Sequence, residues 1–272
     1  MTDKKYIKDL ILTAIKASVK AGEEIMKVYG SDDFGTSIKA DNSPLTQADK
    51  NAHAVISEIL NTTNLPVLSE EGKNIPYEER KDWDLFWLVD PLDGTKEFIK
   101  RNGDFTVNIA LIENRKPVAG VIYVPVTGTL YFAANEIGAY KTEYSSWTGL
   151  EIENFDFWED ISEKLPNSKT EVFTLVGSRS HMNDETKAYF DKIKKEKGKT
   201  EIISRGSSLK LCMIAEGKAD MYPRFGPTME WDTAAGHAIV NASGGSITQP
   251  DGSPLLYNKE NLLNPYFIVK RT

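Results

Sequence analysis

The sequence predicts an α/β protein built in layers, in two unequal halves, and three observations carry that prediction. Two amphipathic helical stretches precede the first clear strand, a run of apolar strands then meanders to about residue 141, and beyond residue 170 strand and helix patterns alternate.

The first stretch, "MTDKKYIKDLILTAIKASVKAGEEIMKVYG", sets Ile7, Leu10, Ile11, Ala14 and Ile15 at helical spacing. Lys8, Asp9 and Lys16 interrupt it before a signal-peptide core could form. A polar, turn-rich segment leads to "TQADKNAHAVISEILNTT", a helix with Ala52, Val55, Ile56, Ile59 and Leu60 on one side. Thr46 and Asp49 stand at capping-box spacing at its start. Strands follow in "PVLSEEG", "LFWLVD" and "FTVNIALIEN", then a meander over "KPVAGVIYVPVTGTLYFAANEIGAYK" turned at Gly128 and Gly138. Residues 142–170 are charged and weakly periodic, which places the expected division there, between an N-terminal α+β half (1–141) and a C-terminal α/β half (142–272). In the second half "EVFTLVGSRS" reads as strand and turn and "NDETKAYFDKIKKEKG" as an exposed helix. "TEIISRGSSLKLCMIAEGKADMYPRF" reads as strand, turn, helix and strand, and "WDTAAGHAIVNASGG" as a last helix ended by glycine.

Composition narrows the function classes. The 272 residues are 40% hydrophobic, enough for a sizeable core, and 40 acids against 33 bases leave a net charge of −7. That balance argues against a broad basic surface for polymeric nucleic acid but allows a small anionic ligand where cations gather locally. Cys212 is the single cysteine, so no disulfide forms within the chain; a cytoplasmic location is expected, with peripheral association at the inner membrane left open. No stretch approaches the roughly 18 apolar residues of a membrane span.

The chemistry concentrates in "LFWLVDPLDGTKEF". The apolar strand is expected to stop at Asp90, because Pro91 cannot extend a central strand, and Gly94 permits a turn into a helix beginning near Thr95. Two carboxylates, Asp90 and Asp93, then meet at a strand end, where each would raise the other's pKa unless a divalent cation kept both ionised. Hard oxygen ligands suit Mg²⁺, and the helix start at Thr95 suits an anion such as phosphate. Helix capping by Asp93 and turn hydrogen bonds to Asp90 explain the same residues equally well. Glu70, after the strand "PVL", could add a third carboxylate, whereas Asp49 in its capping box and Asp232 before a small-residue helix have local structural readings of their own.

"DPLDGTKEF", with "SEE" upstream and "WDTAAGHAI" downstream, resembles the lithium-sensitive, magnesium-dependent phosphomonoesterases of the inositol monophosphatase superfamily. The wording "ADNSPLTQAD", "VLSEE", "DPLDGTKEFIKRNGDFTVNIALI" and "YPRFGPT" is similar to that of the bacterial CysQ-type 3′(2′),5′-bisphosphate nucleotidases, along nearly the whole chain. The resemblance implies a five-layer α-β-α-β-α sandwich, and two or three Mg²⁺ held by Glu70, Asp90, Asp93, Asp232 and the carbonyl of Leu92. It assigns Asp49 and Thr95 to the attacking water, with Glu70 beside them in catalysis. Asp93, Gly94, Thr95, His181, Ser207, Lys210, Arg224 and Asp232 fall in the positions that contact substrate.

On that resemblance the expected activity is removal of the 3′-phosphate from adenosine 3′,5′-bisphosphate to give AMP and phosphate, with the sulfated nucleotide as a second substrate, in sulfate assimilation. The same metal mechanism would serve inositol monophosphate or fructose 1,6-bisphosphate. A non-catalytic phosphate-ligand sensor is the other class, and its mark would be a lost acid or threonine; none is lost.

Overall fold

The computed structural model describes residues 3–38, 44–143, 154–179 and 182–271. The chain begins with α1 (Lys4–Tyr29), a small hairpin of β1 (Ser37–Ile38) and β2 (Pro44–Leu45), and α2 (Gln47–Asn61). Then come β3 (Val67–Ser69), α3 (Tyr77–Arg80), β4 (Leu85–Asp93), α4 (Thr95–Ile99), β5 (Thr106–Glu113), β6 (Lys116–Val124), β7 (Thr129–Ala134) and β8 (Gly138–Glu143). A short α5 (Phe155–Asp160) and β9 (Glu163–Lys164) follow. Strands β3 to β9 form one seven-stranded sheet in sequence order, antiparallel except for the β3–β4 pair.

The rest of the chain supplies β10 (Phe173–Ser178), α6 (Asp184–Lys197), β11 (Thr200–Arg205), α7 (Leu209–Glu216), β12 (Met221–Arg224), α8 (Glu230–Ala242), β13 (Ser246–Thr248) and β14 (Phe267–Lys270). Its five-stranded sheet runs β11-β10-β12-β14-β13, parallel where helices make the crossovers and antiparallel at the other edge.

Alternation along the strands separates three cores, and these define the layers. Trp87, Val89, Val107, Ile109 and Val121 on one face of the large sheet pack with α1, α2 and α5. Leu88, Ala110, Ile122 and Tyr131 on the opposite face meet α7 and α8, which also cover Val176, Tyr222 and Phe267 of the small sheet. The outer face of the small sheet, through Leu175, Met221 and Ile268, packs against Phe190 and Ile193 of α6. The order is therefore helix, sheet, helix, sheet, helix, the five-layer sandwich expected from the sequence. Helix α8 lies so close to the large sheet that a Cβ on Gly120 would stand 2.4 Å from the Ala235 carbonyl oxygen.

Two local readings are corrected. Residues 154–164 are not featureless: α5 buries Phe155 and Trp158 edge-on against Phe132, and β9 adds a seventh strand. Strand β4 does not stop at Asp90 but continues through Pro91 to Asp93. Strand β3 ends opposite Val89, and Asp90 pairs with Asn108 while Asp93 pairs with Thr106, so Pro91 and Leu92 bulge out of register. Pro91 thus costs no ladder hydrogen bond.

Candidate active site

That bulge explains the spacing of the two aspartates. Residues three apart on a regular strand point to opposite faces. With two residues of β4 set against Val107 alone, Asp90 and Asp93 pair with Asn108 and Thr106, two apart on β5, and share the face toward α8. Gly94 then turns the chain with φ +93°, a conformation only glycine adopts freely, and Thr95 opens α4.

Other elements bring their groups to the same face. The Glu70 N–H donates to the Val89 carbonyl (3.1 Å), fixing Glu70 just past the end of β3. Asp232 sits in the first turn of α8 and accepts from the Met229 N–H (2.9 Å), closing the helix start rather than preceding it as a cap. Glu70, Asp90 and Asp232 each present a carboxylate oxygen within 4.8 Å of the others, a group that could hold a metal ion. Asp90 is almost wholly buried. Burial, then the charges of Glu70, Asp93 and Asp232, push its carboxyl well above the usual range. Burial and Asp93 do the same to Asp232. Three oxygen donors of one sign, two of them costly to ionise without a cation, are a fitting donor set for a hard divalent ion.

Asp93 belongs to this face, but its Oδ2 is engaged by protein. The Ser207 hydroxyl donates to it at 2.6 Å and that of Ser208 at 3.0 Å. Asp49 fulfils its capping-box reading, accepting from the Thr46 N–H (2.7 Å) and hydroxyl (2.6 Å) through Oδ2. Its Oδ1 accepts from the Thr95 hydroxyl at 3.1 Å, so the cap and the acid at the site are one side chain. Burial raises the Asp49 pKa against these hydrogen bonds. The Leu92 carbonyl lies 3.3 Å from the Thr95 hydroxyl, and the Leu92 N–H donates to Asp90 (3.1 Å).

A cavity of about 300 Å³ opens beside these acids, lined by Glu70, Asp93, Gly94, Thr95 and Asp232 together with Lys210 and Arg224. Both cations are buried, at 6% and 8% exposure. Lys210 donates to the Ser207 carbonyl and lies over the Tyr222 ring; burial brings its pKa down to about 8, against the opposing pull of Asp93. Arg224 donates to the Pro227 carbonyl (2.9 Å), and its Nε is buried without a partner among the described residues. Two buried cations beside an open space are chemically suited to an anion. His181 lies outside the described residues. The structure thus sets Glu70, Asp93, Gly94, Thr95, Ser207, Lys210, Arg224 and Asp232 around one cavity, with Asp90 beside Glu70 and Asp232, and Asp49 and Leu92 in contact with Thr95.

Sequence reasoning passed over Thr106, Asn108 and Asp104. Thr106 and Asn108 occupy the face of β5 that continues as Ala110 and Ile112 in the core, so two polar residues on an apolar face were the available signal. Asp104 ties the halves together, accepting from the Gly206 N–H (2.8 Å) and from Arg179 (3.0 Å); nothing in its loop marked it.

The layered fold and an acid cluster facing a cationic pocket define a class, and the chain belongs to the inositol monophosphatase family, whose model matches residues 7–266. Within it, the chain is 47% identical over 253 residues to the 3′(2′),5′-bisphosphate nucleotidase CysQ of Escherichia coli K12, covering 92% of this chain and 94% of that one. It is 34% identical to the CysQ of Haemophilus influenzae over 96% of this chain and 92% of the relative. The crystal structure of CysQ from Bacteroides thetaiotaomicron superposes with a TM-score of 0.91 at 54% identity, over 98% of this chain and 99% of that one. Among the described residues no helix is long and apolar enough to cross a membrane.

Proposed function

We propose that this chain is a Mg²⁺-dependent phosphomonoesterase that removes the 3′-phosphate from adenosine 3′,5′-bisphosphate, giving AMP and inorganic phosphate. The observation that carries this reading is the pairing, at one cavity, of the carboxylate cluster with the buried Lys210 and Arg224: acids suited to the metal of a reacting phosphate and cations suited to a second anion. The CysQ relatives support the substrate class.

Glu70, Asp90 and Asp232, with Asp93 and the Leu92 carbonyl, would hold the metal ions, two or three in number. When bound, Mg²⁺ supplies positive charge for the phosphate oxygens and the departing alkoxide and lowers the pKa of water. The chain's own groups place the nucleophile. The Thr95 hydroxyl donates to Asp49, which leaves its oxygen free to accept a proton from the attacking water, and the raised basicity of Asp49 suits it to receive that proton next. No protein nucleophile is needed. Lys210 and Arg224 take the 5′-phosphate through charge-assisted hydrogen bonds, with Ser207 and His181 toward the nucleoside. By the same likeness to the CysQ relatives the sulfated nucleotide would be a second substrate, lithium an inhibitor, and sulfate assimilation in the cytoplasm the setting.

The test is phosphate release with Mg²⁺, and with EDTA as control, from adenosine 3′,5′-bisphosphate, inositol 1-phosphate and fructose 1,6-bisphosphate at matched concentrations. A strong, EDTA-sensitive preference for the nucleotide is expected. Preference for either other substrate would keep the metal chemistry and overturn the assignment of Lys210 and Arg224, and release from none would overturn the activity itself.

A further inference from the structure

Behind the carboxylate face lies a set of buried hydroxyls and an amide, three of which meet at one atom. Asp93 Oδ2 is 2.6 Å from the Ser207 hydroxyl, 3.0 Å from that of Ser208 and 3.4 Å from Asn108 Nδ2. A second rank stands behind the first. The Thr106 hydroxyl is 2.6 Å from that of Ser207, and Asn108 Nδ2 donates to Ser208 Oγ at 3.0 Å. Thr106 and Asn108 are at most 1% exposed and lie outside the cavity lining, whereas Ser208 lines it. Each hydroxyl has one proton to give. In one assignment Thr106 donates to Ser207, Asn108 Nδ2 to Ser208, and both serines to Asp93; Asn108 Oδ1, 2.9 Å from the Thr106 hydroxyl, and the Asp232 carbonyl compete for the protons of Thr106 and Ser208. Among the described residues, the hydrogen bonds to the Asp93 side chain converge on Oδ2.

The groups come from stretches about a hundred residues apart in sequence. Thr106 and Asn108 lie on β5 of the large sheet, while Ser207 and Ser208 form the turn into α7, with Ser207 at φ +50°. A non-glycine residue in that region is strained, at a cost of order 1 kcal/mol, and persists where its surroundings hold it. Here they do: Lys210 grips the Ser207 carbonyl from behind, and the Ser207 hydroxyl reaches Asp93. Ser208 Oγ is also 2.8 Å from the carbonyl oxygen of Asp232, so one hydroxyl touches the residues of two separate acids of the site.

We infer that Thr106, Asn108 and Ser208 are positioning residues that lock the Asp93 carboxylate by its outer oxygen, leave the other oxygen for the cation, and so set the affinity for divalent metal. The inference rests on the reading that Asp93 helps hold Mg²⁺. Groups behind a metal ligand of this kind typically change affinity by about 10–100-fold when removed.

The experiment is calorimetric titration of Mg²⁺ into the wild-type protein, Thr106→Val, Ser208→Ala and Thr106→Ser, with no substrate present, each variant's fold being checked by circular dichroism. Thr106→Val and Ser208→Ala are expected to weaken Mg²⁺ about 10–100-fold. Thr106→Ser, which returns the hydroxyl, restores the affinity. In turnover assays the Mg²⁺ concentration for half-maximal rate shifts by the same factor in the two weakened variants, while KM for the nucleotide at saturating Mg²⁺ stays put. Unchanged Mg²⁺ affinity in both of them, or equal weakening by Thr106→Ser and Thr106→Val, overturns the inference. Absence of any Mg²⁺ isotherm from the wild-type protein would instead sink the metal reading on which it rests.

Discussion

Replacing Asp90 with Asn separates what the acid does for the site from what it does to the fold. Carboxylate oxygens of Asp90, Glu70 and Asp232 lie within 4.8 Å of one another. At that separation and an effective dielectric constant near 20, each ionised pair repels by about 3–4 kcal/mol. The cost is capped, because once it passes about 4 kcal/mol Asp90 takes up a proton at pH 7 instead. Asn removes the charge and keeps the side-chain oxygen that accepts the Leu92 N–H, and its amide can donate to the neighbouring acids. In EDTA we therefore expect Asp90→Asn to be more stable than wild type by about 2 kcal/mol, a Tm rise of roughly 4–8 °C. Mg²⁺ at a hundred times its Kd should stabilise the wild type by about 2.7 kcal/mol and the variant far less, while turnover is abolished. Thermal unfolding by circular dichroism with and without Mg²⁺ reads both effects. A variant that melts below wild type in EDTA, or gains as much from Mg²⁺, would refute the view of this face as mutually repelling acids awaiting a cation.

Other expectations concern the opposite wall and the packing. Lys210→Ala and Arg224→Ala should each weaken binding of adenosine 3′,5′-bisphosphate by about 10–100-fold and leave adenosine 3′-monophosphate much less affected; equal losses for both ligands would remove the second-anion role. The folded pKa of Lys210, about 8, lies below its ordinary 10.5. The ammonium form therefore predominates below pH 8, and kcat/KM for the bisphosphate should fall as pH rises through about 8, more steeply than for the monophosphate. The same depression means that this residue's contribution to stability becomes more favourable between about pH 8 and 10.5, since the unfolded chain holds the proton longer. A flat bisphosphate profile across pH 7–9 would exclude Lys210 as the titrating contact. Gly120→Ala should cost about 1–3 kcal/mol, because its Cβ would meet the Ala235 backbone at 2.4 Å; an unchanged Tm would show that α8 can shift away from the sheet.

Much of this site was legible in the sequence, because the relevant signals are local. "DPLDGT" puts two acids and a glycine turn within six residues, and Thr46 and Asp49 declare a capping box by spacing alone. The continuation of β4 past Asp90 was not legible, since proline argues against a central strand and only the partner strands show that Pro91 sits where no ladder bond is lost. Helix α5 was hidden for a similar reason: two aromatic anchors, Phe155 and Trp158, hold a six-residue helix too short for periodicity to reveal. Ser208 and Thr106 were out of reach for a third reason. Their significance is a distance across a hundred residues of chain, and propensity carries no information about that.

Helix α8, seated between the two sheets, also orders events in time. A chain leaving the ribosome exposes Glu70, Asp90 and Asp93 early, but Asp232 and the α8 face that buries them emerge roughly 7–28 s later at ordinary synthesis rates. During that interval the inner face of the large sheet, with Leu88, Ala110 and Ile122, has no cover from its own chain. The cation site is therefore completed late in a nascent molecule, and its competence reports that α8 has emerged and docked between the sheets.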